Sequence, residues 1–150
     1  YAVKVPTDPW RSAMTVPREL SLKGNTLVQT AIEKPGGFPE VSFTTNNGGI
    51  RIHESKNRYA EIGVRNGKIY VNTTHAWDEI PAPLVQEIPA PKTEVDFRVI
   101  ADRGSIEVFA AGGTVVITNL VLVESALHYI ETVGEVNNLK LQQLYREQQG

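Results

Sequence analysis

Hydrophobic and polar positions alternate most regularly within residues 97–122. Ile106 and Val108 alternate there with Glu107 and Phe109, the period-two pattern of a strand with two distinct faces. The pattern predicts a meander with a strand ending at Ala101, a corner at 102–104, a strand to Ala110, a glycine turn at 111–113 and an apolar strand from Val115. The nearly unbroken β-prone run of the third strand favours burial between two sheets.

Shorter segments with strand character occur along most of the chain. Asn66-Gly67 between alternating segments is a strong signal for a hairpin, and Gly24-Asn25 is a second candidate turn. The further predicted strands are residues 16–23, 26–32, 41–45, 50–54 and 58–65. Many short strands with turn signals between them predict an all-β fold. We expect a two-sheet antiparallel β-sandwich of the concanavalin or lectin-like jelly-roll type.

The motif Ile-Pro-Ala-Pro occurs twice, at 80–83 and at 88–91. Proline lacks a backbone N–H and favours an extended, polyproline-like path. The two units therefore predict a long loop along the sandwich. A docking motif for a proline-binding module is the alternative interpretation.

Composition narrows the range of functions. The chain has 150 residues, 41% of them hydrophobic, a formal charge of −2 and no cysteine. This size fits one domain with a real core, and no apolar run is long enough to cross a bilayer. The charge gives no electrostatic basis for binding nucleic acid or anionic lipid. The lack of cysteine excludes disulfides and thiolate sites, but it does not settle the compartment.

Motifs for metal-dependent or nucleophilic catalysis are absent from the sequence. His53, His75 and His128 show no ligand-like spacing, so we expect neither a metal nor a cofactor. The sequence also contains no glycine-rich phosphate loop, GxSxG elbow or HExxH motif.

Two acidic residues flank the corner of the meander. Asp102 is expected to cap the turn at Arg103-Gly104, and Glu107 is expected to pair with an arginine, because acidic residues at strand ends more often have such roles than catalytic ones. The competing interpretation is carbohydrate binding. Its candidate contacts are Trp77, Asp102, Arg103 and Glu107, with Trp77 in the polar loop THAWDE as an aromatic platform.

Two stretches together resemble one family. PWRSAMTVPRELSLK (Pro9–Lys23) is similar to the exit from the five-bladed propeller of glycoside hydrolase family 32, which includes invertases, inulinases and levanases. DFRVIADRGSIEVF (Asp96–Phe109) is similar to the signature of that family's C-terminal β-sandwich. The resemblance implies that residues 1–15 are the tail of the catalytic propeller and 16–150 the sandwich. The junction residues it implies are Trp10, Arg11, Pro17, Arg18 and Glu19.

The resemblance also decides the assignment of the last segment. Helix propensity favours a helix over residues 137–149, whereas the family ends in strands. We therefore predict a strand at Leu139–Arg146. Between Ile32 and Val41 the chain is shorter than the family usually is, by what looks like one or more strands.

The family's three catalytic carboxylate motifs do not occur in this chain. They are a nucleophilic aspartate near the start of the propeller, an Arg-Asp-Pro motif and a Glu-Cys-Pro motif. The chain alone is therefore expected to be inactive. The resemblance implies a parent glycosidase of the β-fructosidase type that is extracellular or periplasmic.

Two functions remain open from the sequence. In the first, the chain is the accessory sandwich of a bacterial fructan- or sucrose-hydrolysing enzyme, and its partner is the catalytic propeller of the same protein. In the second, it is an autonomous fructan-binding module. A homodimer is compatible with either, and neither involves nucleic acid or a membrane.

Overall fold

The computed structural model describes residues 15–32, 40–76, 85–101, 104–121 and 129–142. These ranges contain one 3₁₀ turn, at Ala111–Gly113, and twelve strands. The strands are β1 (Arg18–Lys23), β2 (Thr26–Ala31), β3 (Glu40–Thr45), β4 (Gly48–His53), β5 (Tyr59–Arg65), β6 (Lys68–Asn72), β7 (Val85–Pro89), β8 (Val95–Ala101), β9 (Ser105–Ala110), β10 (Val115–Leu120), β11 (Tyr129–Gly134) and β12 (Asn137–Gln142). Within the described part of the chain, no helix is long and apolar enough to cross a membrane.

Ten of the strands form two five-stranded antiparallel sheets. Sheet I has the order β10-β9-β8-β3-β12, and sheet II has the order β11-β4-β5-β6-β7. Strands β1 and β2 form a separate hairpin. The predicted two-sheet antiparallel β-sandwich is confirmed.

The core lies between the two sheets and contains side chains from both. Ile50 and Ile62 of sheet II are fully buried, as are Val99 and Val108 of sheet I. Core residues occupy every second position on a strand, as Ile50 and Ile52 do on β4, so the residue between them, Arg51, points to the outer face. The alternation in the sequence therefore sets which residues are available at the surface.

Paired glycines bring β4 and β5 close together at one point. Gly49 lies opposite Gly63 in the register, and a Cβ added to either would overlap a backbone carbonyl of the other strand. Glycine has no Cβ and permits such close backbone approach.

The two clearest local predictions are confirmed. Strands β8, β9 and β10 are consecutive antiparallel neighbours, as the meander requires. Asn66 and Gly67 join β5 to β6 with φ values of 52° and 70°, the left-handed conformation that a type I′ turn needs at both positions. The corner residues 102 and 103 lie outside the described ranges.

Two predictions are wrong in part. Val85–Pro89, assigned to a long loop, is the edge strand β7, which pairs only with β6 in the described sheet. Proline is tolerated at the end of an edge strand because its missing N–H interrupts no central ladder. The apolar strand β10 is also at an edge, and its Leu120 is 43% exposed, so this strand is only half buried.

The last segment is a strand despite its helix propensity. Strand β12 confirms the prediction over Leu139–Gln142, while residues 143–146 lie outside the described ranges. Strand β12 pairs with β3, so contacts with a distant strand override local propensity.

Candidate functional site

The predicted site residues divide into two groups. Trp10, Arg11, Trp77, Asp102 and Arg103 lie outside the described ranges. Of the others, Arg18 and Glu107 meet where the β1–β2 hairpin lies over the outer face of sheet I, and Pro17 and Glu19 flank Arg18 along the chain.

Arg18 and Glu107 form an ion pair that ties the hairpin to sheet I. Nη2 of Arg18 lies 3.0 Å from Oε2 of Glu107, whose other oxygen accepts the backbone N–H of Val16 at 2.8 Å. The guanidinium also donates to Gln29 at 3.0 Å and to Thr118 at 3.1 Å. Glu107 is only 4% exposed, so its expected pairing with an arginine is confirmed. A sugar contact through this carboxylate would have to displace bonds inside the chain.

A small apolar cluster lies beneath the same hairpin. Ala31 of β2 is buried against Ile100 and Phe109 of sheet I, with Val16 and Val116 packed around them. The Arg18 guanidinium lies 5.3 Å from the centre of the Phe109 ring, within cation–π range. The base of the hairpin is therefore fixed to the sandwich by both packing and charge.

The hairpin continues beyond this base with an uncovered apolar face. Leu20 is 62% exposed, Leu22 75% and Leu27 46%. Leu22 is the cross-strand partner of Leu27, and both share a face with Arg18 by the period of two. The face that packs on sheet I at its base thus carries three exposed leucines toward its tip, which we call the leucine face.

A second candidate site is a cleft on the outer side of sheet II. Its volume is about 750 Å³. It lies at the ends of β4, β5 and β11, together with the connections that follow β4 and β6. This outer-face cleft is lined by Arg51, His53, Lys56, Asn57, Tyr59, His75, Tyr129 and Glu131.

Ionic hydrogen bonds connect the floor of the cleft to residues beneath it. Arg51 donates through Nε to Oε2 of Glu61 at 2.6 Å, and the Tyr70 hydroxyl donates to Oε1 at 2.7 Å. Nη1 of Arg51 lies 3.5 Å from Oε2 of Glu131. Both oxygens of Glu61 are therefore occupied, and the carboxylate is buried, so it is not placed to react with a sugar.

His53 is a buried residue of the cleft lining. Its Nδ1 lies 3.0 Å from the Ser55 carbonyl oxygen, and its Nε2 lies 2.8 Å from Oε2 of Glu131. Both ring nitrogens face oxygen acceptors, so the imidazole can donate at both positions only when it is doubly protonated. The arrangement links β4 to β11 through one buried side chain.

These contacts shift several pKa values in opposite directions. Burial disfavours ionised Glu61, but the hydrogen bonds from Arg51 and Tyr70 outweigh it and lower the pKa of Glu61. Burial, together with the bond to Glu61, raises the pKa of Tyr70 well above its ordinary value. The hydrogen bond with His53 lowers the pKa of Glu131. The hydrogen bond to Glu61 raises the pKa of Arg51.

Four aromatic rings make successive contacts in the cleft lining, two of them stacked and one tilted. The Tyr129 and His53 rings are 4.4 Å apart and nearly parallel, at 9°. The Tyr59 ring lies 4.9 Å from the His53 ring, tilted by 43°, and 4.8 Å from the His75 ring, at 26°. Arg51 lies over the Tyr59 ring at 4.9 Å.

One feature of the sequence points to this cleft, although it does not predict the cleft alone. The alternation of Arg51-Ile52-His53 places two polar side chains on one face of a strand. His53 and His75, treated as unrelated by their separation, reach the same cleft, whereas His128 lies outside the described ranges. Among the residues that the structure describes, no group of three side chains could hold a metal ion.

Comparison with known proteins shows where this sandwich belongs. The family model described as glycosyl hydrolases family 32 C terminal matches residues 14–144. The chain is 27% identical over 190 aligned positions to a levanase from Bacillus subtilis (strain 168), covering 96% of this chain and 28% of the levanase. Because that alignment exceeds the chain's 150 residues, the levanase carries insertions relative to it.

Solved structures share the fold. An exo-inulinase from Aspergillus awamori superposes with a TM-score of 0.79 at 21% identity, covering 94% of this chain and 37% of that one. A sucrose-6-phosphate hydrolase from Lactobacillus gasseri superposes with a TM-score of 0.68 at 13% identity, covering 80% of this chain and 31% of that one. The chain spans about a quarter of the length of the curated relatives it matches. Since the family model covers nearly all of the sequence, the resemblance is confirmed, and this chain belongs to the C-terminal family of glycosyl hydrolases family 32.

Proposed function

We propose that this chain is the accessory β-sandwich of a bacterial enzyme that hydrolyses fructan or sucrose. Its role is to stabilise the catalytic β-propeller of the same protein, outside the cell or in the periplasm. Supporting this are the membership in a C-terminal domain family and the small share of its relatives that the chain spans. Residues 1–15 are, in this proposal, the tail of the propeller.

The leucine face is the observation that carries the proposal. Full burial of a leucine side chain contributes roughly 1.5–3 kcal/mol. Leu20, Leu22 and Leu27 are exposed on the sandwich, so their burial against a neighbouring domain would stabilise that contact. Exposed apolar patches of this kind are typical of interaction sites. The backbone N–H of Ile32 also donates to the Pro17 carbonyl at 2.9 Å, which closes the base of the hairpin beside the junction. The hairpin is thus held in a fixed position from which it can contact a neighbouring domain.

A paired substitution in the full-length protein tests this role. We expect Leu20→Ser with Leu22→Ser to lower the melting temperature of the full-length protein and its release of fructose from levan. The matched control is Leu139→Ser with Leu141→Ser, because these leucines are 39% and 61% exposed on β12, away from the hairpin. Equal effects of the two double variants would contradict the proposal.

The chain itself is proposed to have no hydrolytic activity. The family's Arg-Asp-Pro and Glu-Cys-Pro motifs do not occur in it. We therefore expect the purified chain to release no fructose from sucrose, inulin or levan. Fructose release that is lost on mutation of one of its own carboxylates would overturn this.

An autonomous fructan-binding module is the second candidate, favoured by the outer-face cleft. The contacts predicted for it, Trp77, Asp102, Arg103 and Glu107, stay predictions, and Glu107 already makes its bonds inside the chain. The gene sequence upstream of the Tyr1 codon separates the two candidates. Catalytic propeller motifs there support the accessory role, whereas a linker and an unrelated domain support the binding module.

A further inference from the structure

We propose that the outer-face cleft binds a neutral saccharide, which stacks on Tyr129 and forms hydrogen bonds with Glu131 and Arg51. The residues that line it differ from the candidate contacts inferred from the sequence, and none of them belongs to the hairpin. Only the choice of fructans as the first ligands to try rests on the proposed function.

The exposed ring of Tyr129 provides an apolar platform. Tyr129 is 47% exposed, and His53 covers one of its faces at 4.4 Å. The opposite face and the ring edge therefore supply most of the area that solvent reaches. An aromatic face of this kind suits a ligand with an apolar face and a polar rim, as a sugar ring has.

The polar groups beside this ring are held in position from below. Arg51 is fixed by its 2.6 Å bond to the buried Glu61, which also accepts from the buried Tyr70. Glu131 is fixed by His53 at 2.8 Å. Groups that are already ordered lose little further freedom when a ligand binds, which lowers the cost of association. An arginine that only faces solvent does not require a buried tyrosine and a buried glutamate beneath it, so this support favours a binding role for Arg51.

The charges around the cleft favour a neutral ligand. Arg51 already pairs with two carboxylates, Glu61 and Glu131, so its charge is balanced within the chain. Lys56 also lines the cleft, and its positive charge accompanies the negative charge of the half-exposed Glu131. A ligand that can both donate and accept hydrogen bonds fits these groups better than a simple anion does. The volume of about 750 Å³ lies in the range of small-molecule sites.

Titration of the 150-residue chain followed by two-dimensional NMR tests the proposal. The probes are inulin-type and levan-type fructo-oligosaccharides, xylo-, cello- and malto-oligosaccharides, and inorganic phosphate. We expect at least one oligosaccharide to shift the backbone signals of Arg51, Tyr129 and Glu131, with a dissociation constant on the order of 1 mM. Phosphate should produce no comparable shifts.

Matched variants assign the binding to the proposed contacts. Tyr129→Ala should weaken binding by roughly tenfold or more, whereas Tyr129→Phe, which keeps the ring, should change it by less than about threefold. Glu131→Ala should also weaken binding, while Glu87→Ala on the same outer face, outside the cleft lining, should not. Melting curves show that each variant is folded.

Each outcome has a defined consequence. Binding with these variant effects supports the proposal. If only non-fructan sugars bind in this way, the site stands, but the fructan part of the proposed function loses support. If no saccharide binds, if phosphate alone binds, or if Tyr129→Ala binds as the unmodified chain does, the cleft proposal is overturned. The accessory role is unaffected by those results, because the full-length protein tests it through the leucine face.

Discussion

Breaking the Arg18–Glu107 pair is predicted to destabilise the sandwich strongly. The side chain of Glu107 is 5% exposed and that of Arg18 19%, so the pair is much closer to a buried ion pair than to a surface one. Removing one partner of a buried pair costs roughly 3–5 kcal/mol, against 0–1 kcal/mol for exposed pairs. Partial exposure of Arg18 places the expected cost of Arg18→Met near the lower limit, at about 3 kcal/mol.

The double variant Arg18→Met with Glu107→Leu should cost less than Arg18→Met alone. An apolar pair leaves no charge uncompensated and can pack on Phe109, so the main cost is the acceptor lost by the Val16 N–H, about 1 kcal/mol. The double variant therefore reveals whether the two residues are coupled.

Urea unfolding at neutral pH measures these free energies. In thermal unfolding, about 3 kcal/mol corresponds to a fall in melting temperature of roughly 6–12 °C for a domain of this size. Lys68→Met is the matched control, because Lys68 pairs with Glu87 at 3.3 Å on the exposed surface and should cost at most about 1 kcal/mol. The reasoning fails if Arg18→Met costs no more than this control, or if the double variant costs the sum of its two single variants.

Three further predictions concern sheet II. The pKa of Glu61 is lowered in the folded state, so its contribution to stability is present above its ordinary value of 4.5 and lost as the pH falls through the folded value. Urea unfolding of Glu61→Gln across acidic pH should therefore show a flatter acid limb, and an unchanged limb would contradict this. The pKa of Tyr70 is raised, so its contribution is present below its ordinary value of 10.0 and lost as the pH rises above it. Tyr70→Phe should flatten the alkaline limb in the same assay. If the variant and the unmodified chain lose the same amount of stability above this pH, Tyr70 does not have this role. Gly63→Ala should lower the melting temperature by several degrees or prevent folding. The control Gly104→Ala should have little effect, because nothing lies within 4 Å of the added Cβ. Equal melting temperatures of the two variants would refute the close approach of β4 and β5.

Local patterns were sufficient for much of the fold. The Asn66-Gly67 turn and the alternation in β9 depend on neighbouring residues, and both predictions are confirmed. The position of a strand within its sheet depends instead on distant partners. For this reason the apolar pattern of β10 predicts burial although the strand lies at an edge, and the prolines around β7 predict a loop although this strand pairs with β6.

In the candidate sites too, features set by neighbouring residues are predictable and features set by distant partners are not. Pairing of Glu107 with an arginine was predictable from its place at a strand end, but its partner is 89 positions away and lies on the hairpin. The outer-face cleft was missed because β11 pairs with β4, which brings Glu131 to His53 across 78 positions. Such contacts arise from topology, which period-two patterns do not specify.

Deletion of the sandwich from the full-length protein tests the central claim most directly. Fructose release from levan and the melting temperature are measured for the full-length protein and for a form that lacks residues 16–150. The account predicts that the truncated form melts at a lower temperature and loses most of its activity, while the 150-residue chain alone releases no fructose. A truncated form that keeps both its melting temperature and its activity would contradict the account.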